Sequence, residues 1–277
     1  MRRQLHLLLA LVVTLLPLWG CAPVATPPTA GDNAGATTLV VFAAASLTNA
    51  FGEIGADFSA ANPGAEIVFN FAGSNQLATQ IAEGAPADVF AAANELQMTA
   101  AVESGRIDAA APRLFAHNRL VVVLPSDNPA GLATLADLRQ PGLKIVLAAA
   151  EVPAGQYALE FLDKAAVEGN LGASYKEAVL ANIVSYETNV RAVLSKVVLG
   201  EADAGIVYAS DAAAQSDKIQ QIAIPDELNT IARYPLAPLN DSSHPKLAQQ
   251  FIDFVLGPEG QKVLAADGFA PANGEDK

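Results

Sequence analysis

Short runs of β-branched and aromatic residues alternate along this chain with helical stretches, and the joins between them are built from alanine, glycine and serine. No other feature constrains the fold as much, because strands separated by helices assemble into an α/β sheet. The first join is the clearest. Leu39 to Phe42 is too short for a helix and reads as a central strand, after which Leu47, Ala50, Phe51, Ile54 and Phe58 follow with the period of a helix that buries one face. Between them stand Ala43, Ala44, Ala45 and Ser46, with Ser46 in the position that caps a helix. A helix start at the carboxyl edge of an open sheet is also where ligands bind, since its unpaired N–H groups and its dipole favour an anion. Ser46 therefore has two readings here. It either caps its helix, with the alanines serving close packing, or it donates to a bound anion.

The pattern continues. Ala65 to Phe71 reads as a strand that passes through Gly73 and Ser74 into a helix carrying Leu77 and Ile81, and 87–92 as a short strand before a helix from Asn94 to Ser104, stopped by Gly105. Asn118 to Pro125 is the strongest strand signal and marks the expected crossing into a second lobe. Beyond it come a short helix at 135–138, a strand at 144–147 and a helix from about Gln156 to Val167, with Pro153 suited to its first turn. A helical piece is expected around 176–183, then a helix opening at Glu187–Arg191, with Thr188 or Asn189 as cap and Gly200 as stop. Ala154 and Val190 thus fall early in their helices, where amide N–H groups lack intrahelical partners. Tyr208 ends the strand 204–208 at its carboxyl edge. A short helix, a strand at 219–224, an extended stretch at 233–239 and two final helices, from about Pro245 to Leu256 and on to about Ala266, complete the order.

The chain begins with Arg2 and Arg3, an apolar run from Leu7 to Leu18, and Gly20 before Cys21. This reads as an export signal, and the run is short of the ~20 residues that span a bilayer. Leu18-Trp19-Gly20-Cys21 resembles the lipobox of bacterial lipoproteins, which implies Cys21 as a lipid attachment point; it is the only cysteine, so no internal disulfide can form. Residues 22–36, rich in Pro, Ala and Gly, read as a flexible tether. The net charge is −13, and about −15 without the leader, from 29 acidic against 14 remaining basic residues. Such a field repels nucleic acid and anionic lipid. It also repels small anions at long range, so an anion site here must work through short directed hydrogen bonds.

Taken together, six stretches resemble the bacterial molybdate-binding proteins of ABC transporters, which are periplasmic-type solute-binding proteins. They are Phe42-Ala43-Ala44-Ala45-Ser46-Leu47, Phe71-Ala72-Gly73-Ser74, Gly84-Ala85-Pro86-Ala87-Asp88, Val152-Pro153-Ala154-Gly155, Asn189-Val190-Arg191 and Gly205-Ile206-Val207-Tyr208-Ala209-Ser210-Asp211. They stand in the family's order, and the resemblance extends from Thr38 to Pro271. It implies an α/β, two-lobe periplasmic binding protein type II fold, each lobe a mixed sheet flanked by helices, with the ligand in the interlobe cleft. It further implies a tetrahedral oxyanion held without a counter-charge: by Ser46 and Ser74 from the first lobe, and by the amides of Ala154 and Val190 and the hydroxyl of Tyr208 from the second. Molybdenum would be bound as the oxyanion through these residues, with no other metal and no cofactor. Two features depart from the family. Its frequent Asp-Pro pair is replaced by Leu147-Ala148-Ala149-Ala150-Glu151, which requires Glu151 to point away from an anion, and the interval from Ala154 to Val190 is longer than in the shorter members.

The expected organisation is a lipoprotein signal at 1–21, a linker at 22–36, a first lobe from 37–118 and 236–277, and a second lobe at 119–235. The expected function is extracytoplasmic binding of molybdate, with tungstate, by a lipid-anchored or periplasmic monomer that delivers the ion to an ABC transporter permease. Molybdate and tungstate carry no proton at neutral pH, so donors alone suffice; phosphate carries one and lacks an acceptor in a shell without Asp or Glu. Sulfate or another small ligand is the alternative. A serine hydrolase is the least favoured, since His6, His117 and His244 are the only histidines and no Gly-x-Ser-x-Gly, His-Glu-x-x-His, Walker or dinucleotide pattern occurs.

Overall fold

The computed structural model describes residues 37–272. The expected signal, Cys21 and the linker lie outside them. In chain order the first half reads β1 (Thr37–Ala44), a 3₁₀ turn (Ala45–Leu47), α1 (Thr48–Ala61), β2 (Ala65–Ala72), α2 (Ser74–Ala82), β3 (Val89–Ala91), α3 (Glu95–Glu103) and β4 (Arg113–Asn118). Next come β5 (Leu120–Pro125), a 3₁₀ turn (Leu135–Arg139), β6 (Ile145–Ala148), α4 (Pro153–Val167), α5 (Tyr175–Leu180), β7 (Ile183–Glu187) and α6 (Val190–Val198). The chain continues through β8 (Ala204–Tyr208), α7 (Ala209–Ala213), β9 (Ile219–Ala223), β10 (Ala232–Pro238), α8 (Pro245–Leu256), α9 (Pro258–Ala266) and β11 (Ala270–Pro271).

These strands form two mixed sheets, one per lobe. The first runs β11-β4-β10-β3-β1-β2 and the second β7-β6-β8-β5-β9. In the first, β1 lies between β2 and β3 and pairs parallel with both, while β10 runs antiparallel to its neighbours β3 and β4. In the second, β6 pairs parallel with β7 and β8, and β5 is antiparallel to β8 and β9. Parallel neighbours send their carboxyl ends to one edge. That edge carries the residues after β1, β2 and β3 in one lobe and after β6, β7 and β8 in the other, the place where open α/β sheets bind ligands.

The helices form where the apolar spacing predicts. On α1, Ala50, Phe51, Ile54 and Phe58 are buried, and Phe251 of α8 meets Phe51 and Phe58 edge-on at ring separations of 6.0 and 5.5 Å. This aromatic cluster joins α8, near the C-terminal end, to the N-terminal strand-helix unit. Truncating Phe251 to Ala removes a fully buried ring, at a cost of about 3–5 kcal/mol.

Only Arg119 separates β4 of the first sheet from β5 of the second, and the return crossing runs through residues 224–231. Asn229 ties the two crossings together, accepting from the Leu120 amide at 3.0 Å and donating to the Leu120 carbonyl at 2.8 Å. All of β10 pairs in the first sheet, so residues 232–235, expected in the second lobe, stand in the first, and the sheets part ahead of Ala232. Three strands differ from expectation by their presence: β4, β7 and β11. The helix expected over 176–183 ends at Leu180, because Ile183 begins β7.

Candidate functional site

Residues from both lobes line one small cavity between them. Ala44, Ala45, Ser46, Ala72, Gly73, Ser74 and Ala93 line it from the first sheet's carboxyl edge, and Val152, Pro153, Ala154, Asn189, Val190 and Tyr208 from the second's. All five residues expected to hold a ligand are therefore in one wall. The lining contains no Asp, Glu, Lys, Arg or His. Glu151 is exposed and stands outside it, as an anion site requires.

The two serines are held differently from the sequence-based expectation. Ser46 lies inside the 3₁₀ turn, α1 starts at Thr48 with Leu47 in its cap position, and no side chain caps it. Ser46 is thus not a cap. Its Oγ lies 2.9 Å from the Tyr234 hydroxyl, which β10 brings from 188 residues away. Ser74 is the first residue of α2, behind Gly73 in the cap position, and its Oγ accepts from the Ala93 amide at 3.0 Å. Because that lone pair is occupied by a backbone N–H, the Ser74 proton is left for the cavity.

The second lobe presents backbone. Pro153 is the first residue of α4, where its missing N–H leaves no helical bond unmade, and Ala154 follows it. On α6, Asn189 caps through Oδ1, which accepts from the Ala192 amide at 3.0 Å, so Val190 begins the helix with an N–H that has no intrahelical acceptor. Two helix starts therefore point their positive ends at one cavity. Gly155 allows α4 to begin so tightly: a Cβ there would sit 2.0 Å from the Ala149 carbonyl oxygen.

Tyr208 completes the wall. It is 1% exposed, and its hydroxyl has no hydrogen-bond partner among the described residues. Burial pushes that hydroxyl well above the ordinary tyrosine range, so it stays a protonated donor. A buried donor without an acceptor is destabilising unless a ligand supplies one. Behind this wall Arg191 Nε approaches Asp211 Oδ1 at 2.6 Å, and burial pushes the Asp211 carboxyl up to about 6 against the pull of Arg191.

The lobes touch across the cavity. Asn118 Nδ2 donates to Ser210 Oγ at 2.8 Å and Asn94 Nδ2 to Gln156 Oε1 at 3.4 Å. Gly73 faces Thr188 so closely that a Cβ on it would lie 2.6 Å from the Thr188 carbonyl oxygen. Sequence reasoning missed Gly73 as a closure point, and it missed Asn118 and Tyr234 behind Ser46. The asparagine and tyrosine carry no local signal, since they meet Ser46 only through sheet pairing. Of the histidines, His117 is buried with Nδ1 at 3.1 Å from the Pro271 carbonyl oxygen, and neither it nor His244 lines the cavity.

A two-lobe α/β protein that buries uncharged donors between its lobes is built to enclose a small solute. The sequence pattern of the bacterial extracellular solute-binding proteins matches residues 39–270, and the chain belongs to that family. It is 39% identical over 260 residues to the molybdate-binding protein ModA of Mycobacterium bovis, covering 94% of each chain. It is 30% identical to the putative ABC transporter substrate-binding lipoprotein YvgL of Bacillus subtilis, covering 97% of this chain and 99% of that one. Among solved structures, the sulfate-binding protein SubI of Mycobacterium tuberculosis superposes with a TM-score of 0.77 at 20% identity, over 87% of this chain and 88% of the other. That likeness is one of fold.

Proposed function

We propose that this protein binds molybdate, with tungstate, between its lobes and delivers it to an ABC transporter permease. The observation that carries the proposal is the Tyr208 hydroxyl, fully buried without an acceptor in a cavity whose wall holds donors and no charge. Ser46 and Ser74 donate through their hydroxyls, Ala154 and Val190 through their amides and Tyr208 through its phenol, so a tetrahedral dianion receives hydrogen bonds from both lobes. The charge of the ion is met by dipoles and by charge-assisted hydrogen bonds rather than by a cation. The 39% identity to a molybdate-binding protein supports the choice of ion.

Binding is separated from its neighbours by what each ion needs. Phosphate brings a proton that finds no carboxylate to accept it. Sulfate brings none and is opposed only by the size of the cavity. Titration calorimetry on residues 36–277 with molybdate, tungstate, sulfate and phosphate tests the assignment: heat with the first two and none with phosphate is expected. Heat with sulfate alone would transfer the site to sulfate, and no heat with any of them would end the oxyanion proposal.

Export and anchoring belong to the same proposal. Cys21 carries lipid after cleavage of residues 1–20, residues 22–36 tether the folded body, and the protein works as an extracytoplasmic monomer beside its permease. The similarity to a lipoprotein of the same class supports this. Cys21→Ala should release the protein from the membrane fraction, and unchanged membrane retention would contradict the anchor.

A further inference from the structure

A serine hydroxyl is an ambiguous ligand. It donates one proton and accepts through two lone pairs, and an unconstrained hydroxyl rotates to suit whichever partner arrives. A cavity with two free serines would therefore accept the proton of hydrogen phosphate or arsenate. The absence of carboxylates does not suffice to exclude protonated oxyanions; the serines themselves must be biased toward donating.

For Ser74 the Ala93 amide does this, by occupying a lone pair from fixed backbone. For Ser46 the same task falls on a side-chain relay whose direction is set at its far end. Asn118 Oδ1 accepts from the Arg119 amide at 3.0 Å, which fixes the orientation of the side-chain amide. Its Nδ2 therefore faces inward, donating to Ser210 Oγ at 2.8 Å and to the Tyr234 hydroxyl at 3.5 Å. Tyr234 is wholly buried and its hydroxyl is pushed far above the ordinary range by that burial, so it is a neutral O–H group. Having accepted from Asn118, it has its own proton free to give to Ser46 Oγ, 2.9 Å away, the direction the proposal takes. With one of its two lone pairs filled from behind, Ser46 is then biased to offer its proton to the cavity.

We infer that Tyr234, oriented by Asn118, is a positioning residue that biases Ser46 toward donating and so raises the site's preference for fully deprotonated oxyanions. The inference rests on the oxyanion reading of the cavity and adds to it the residue that sets protonation selectivity. Tyr234 also holds a ring position, edge-on to Tyr208, Phe115 and Phe269, which phenylalanine would keep. Tyr234→Phe therefore removes the hydroxyl and little else.

The test is calorimetry with molybdate and with arsenate at neutral pH, where arsenate retains a proton, on the wild type, Tyr234→Phe, Ser46→Ala and the double variant. Tyr234→Phe should weaken molybdate about tenfold, the size of one misdirected hydrogen bond to a charged group, while arsenate gains, so that the ratio of the two affinities falls by more than tenfold. Ser46→Ala should weaken molybdate without favouring arsenate, and in that background Tyr234→Phe should change nothing further. Should Tyr234→Phe fail to fold, Asn118→Leu removes the donor that directs Tyr234, and a fall of about threefold or more in the same ratio is expected. A Tyr234→Phe protein that loses both ions in proportion, or whose effect persists unchanged in Ser46→Ala, would overturn the relay while leaving the oxyanion site standing. Wild-type protein that binds no molybdate would instead overturn the site on which the relay depends.

Discussion

The first lobe faces the cavity with two hydroxyls on side chains, Ser46 and Ser74, and the second with the amides of Ala154 and Val190 and one phenol. The halves are supported differently as well. The first is braced by neutral hydrogen bonds, from Ala93 to Ser74 and between Ser46 and Tyr234, whereas the second stands on a buried ion pair between Arg191 and Asp211. A side-chain donor can be removed by substitution without touching the chain. A backbone donor can be removed only by proline or by moving a helix. The first half of the site is therefore open to tuning by mutation, and the second, Tyr208 apart, is fixed by the fold.

Four substitutions would break or sharpen that contrast. The largest effect is expected where the halves meet: Gly73→Val puts side-chain atoms against the Thr188 carbonyl oxygen, keeps the lobes from closing, and should reduce molybdate affinity by about a hundredfold or more. Small-angle scattering would show the variant's radius of gyration unchanged on adding ion, and compaction equal to the wild type would refute the closure point. Next is Ser74→Ala, which deletes a donor and strands the Ala93 amide; affinity should fall about ten- to a hundredfold, with a loss of about 1–2 kcal/mol in urea unfolding.

In the second half, Val190→Pro removes an amide donor at a helix position that tolerates proline, and the extended Asn189 before it suits a following proline. Affinity should fall about tenfold while stability changes by less than about 1.5 kcal/mol. Unaltered binding would mean that this amide makes no contact with the ion.

The smallest effect concerns Asp211. Its folded pKa of about 6 lies above the unfolded value of 3.8, so the native state takes up a proton between them, and the group's contribution to stability falls as pH rises through 6. Between pH 5 and 7 this amounts to about 1 kcal/mol, and Asp211→Asn should shrink the difference in unfolding free energy between those pH values by that amount. An unchanged difference would show that Arg191 holds the carboxylate ionised throughout.

Much of this contrast was legible in the residues. Ala154 and Val190 were legible as early helical residues through Pro153 and the Thr188-Asn189 cap, because helix starts leave local marks, and Tyr208 as the end of a buried strand; that the three share one site with the serines was implied by the family resemblance. The bracing was not legible, because Ser46 and Tyr234 are 188 residues apart and meet only when β10 enters the first sheet. The same physics hid β7: it is an edge strand whose Val184 and Tyr186 are 57% and 54% exposed, so its outward face is apolar and no inside-outside alternation marks it. β4 is short, with polar residues at both ends, and β11 is two residues that pair only because β4 offers an edge.

The position of β10 has one more consequence. The second sheet is complete once residue 223 has been made, but the first cannot be: β3 and β4 have no partner between them until 232–238 arrive. The strand that fills this gap also carries Tyr234. The inserted lobe can therefore form as a self-contained unit while the surrounding one waits for its middle strand, and any chain ending before Tyr234 has an open sheet and a Ser46 without its tyrosine. The order in which the protein is built thus makes ligand competence one of its last acquisitions.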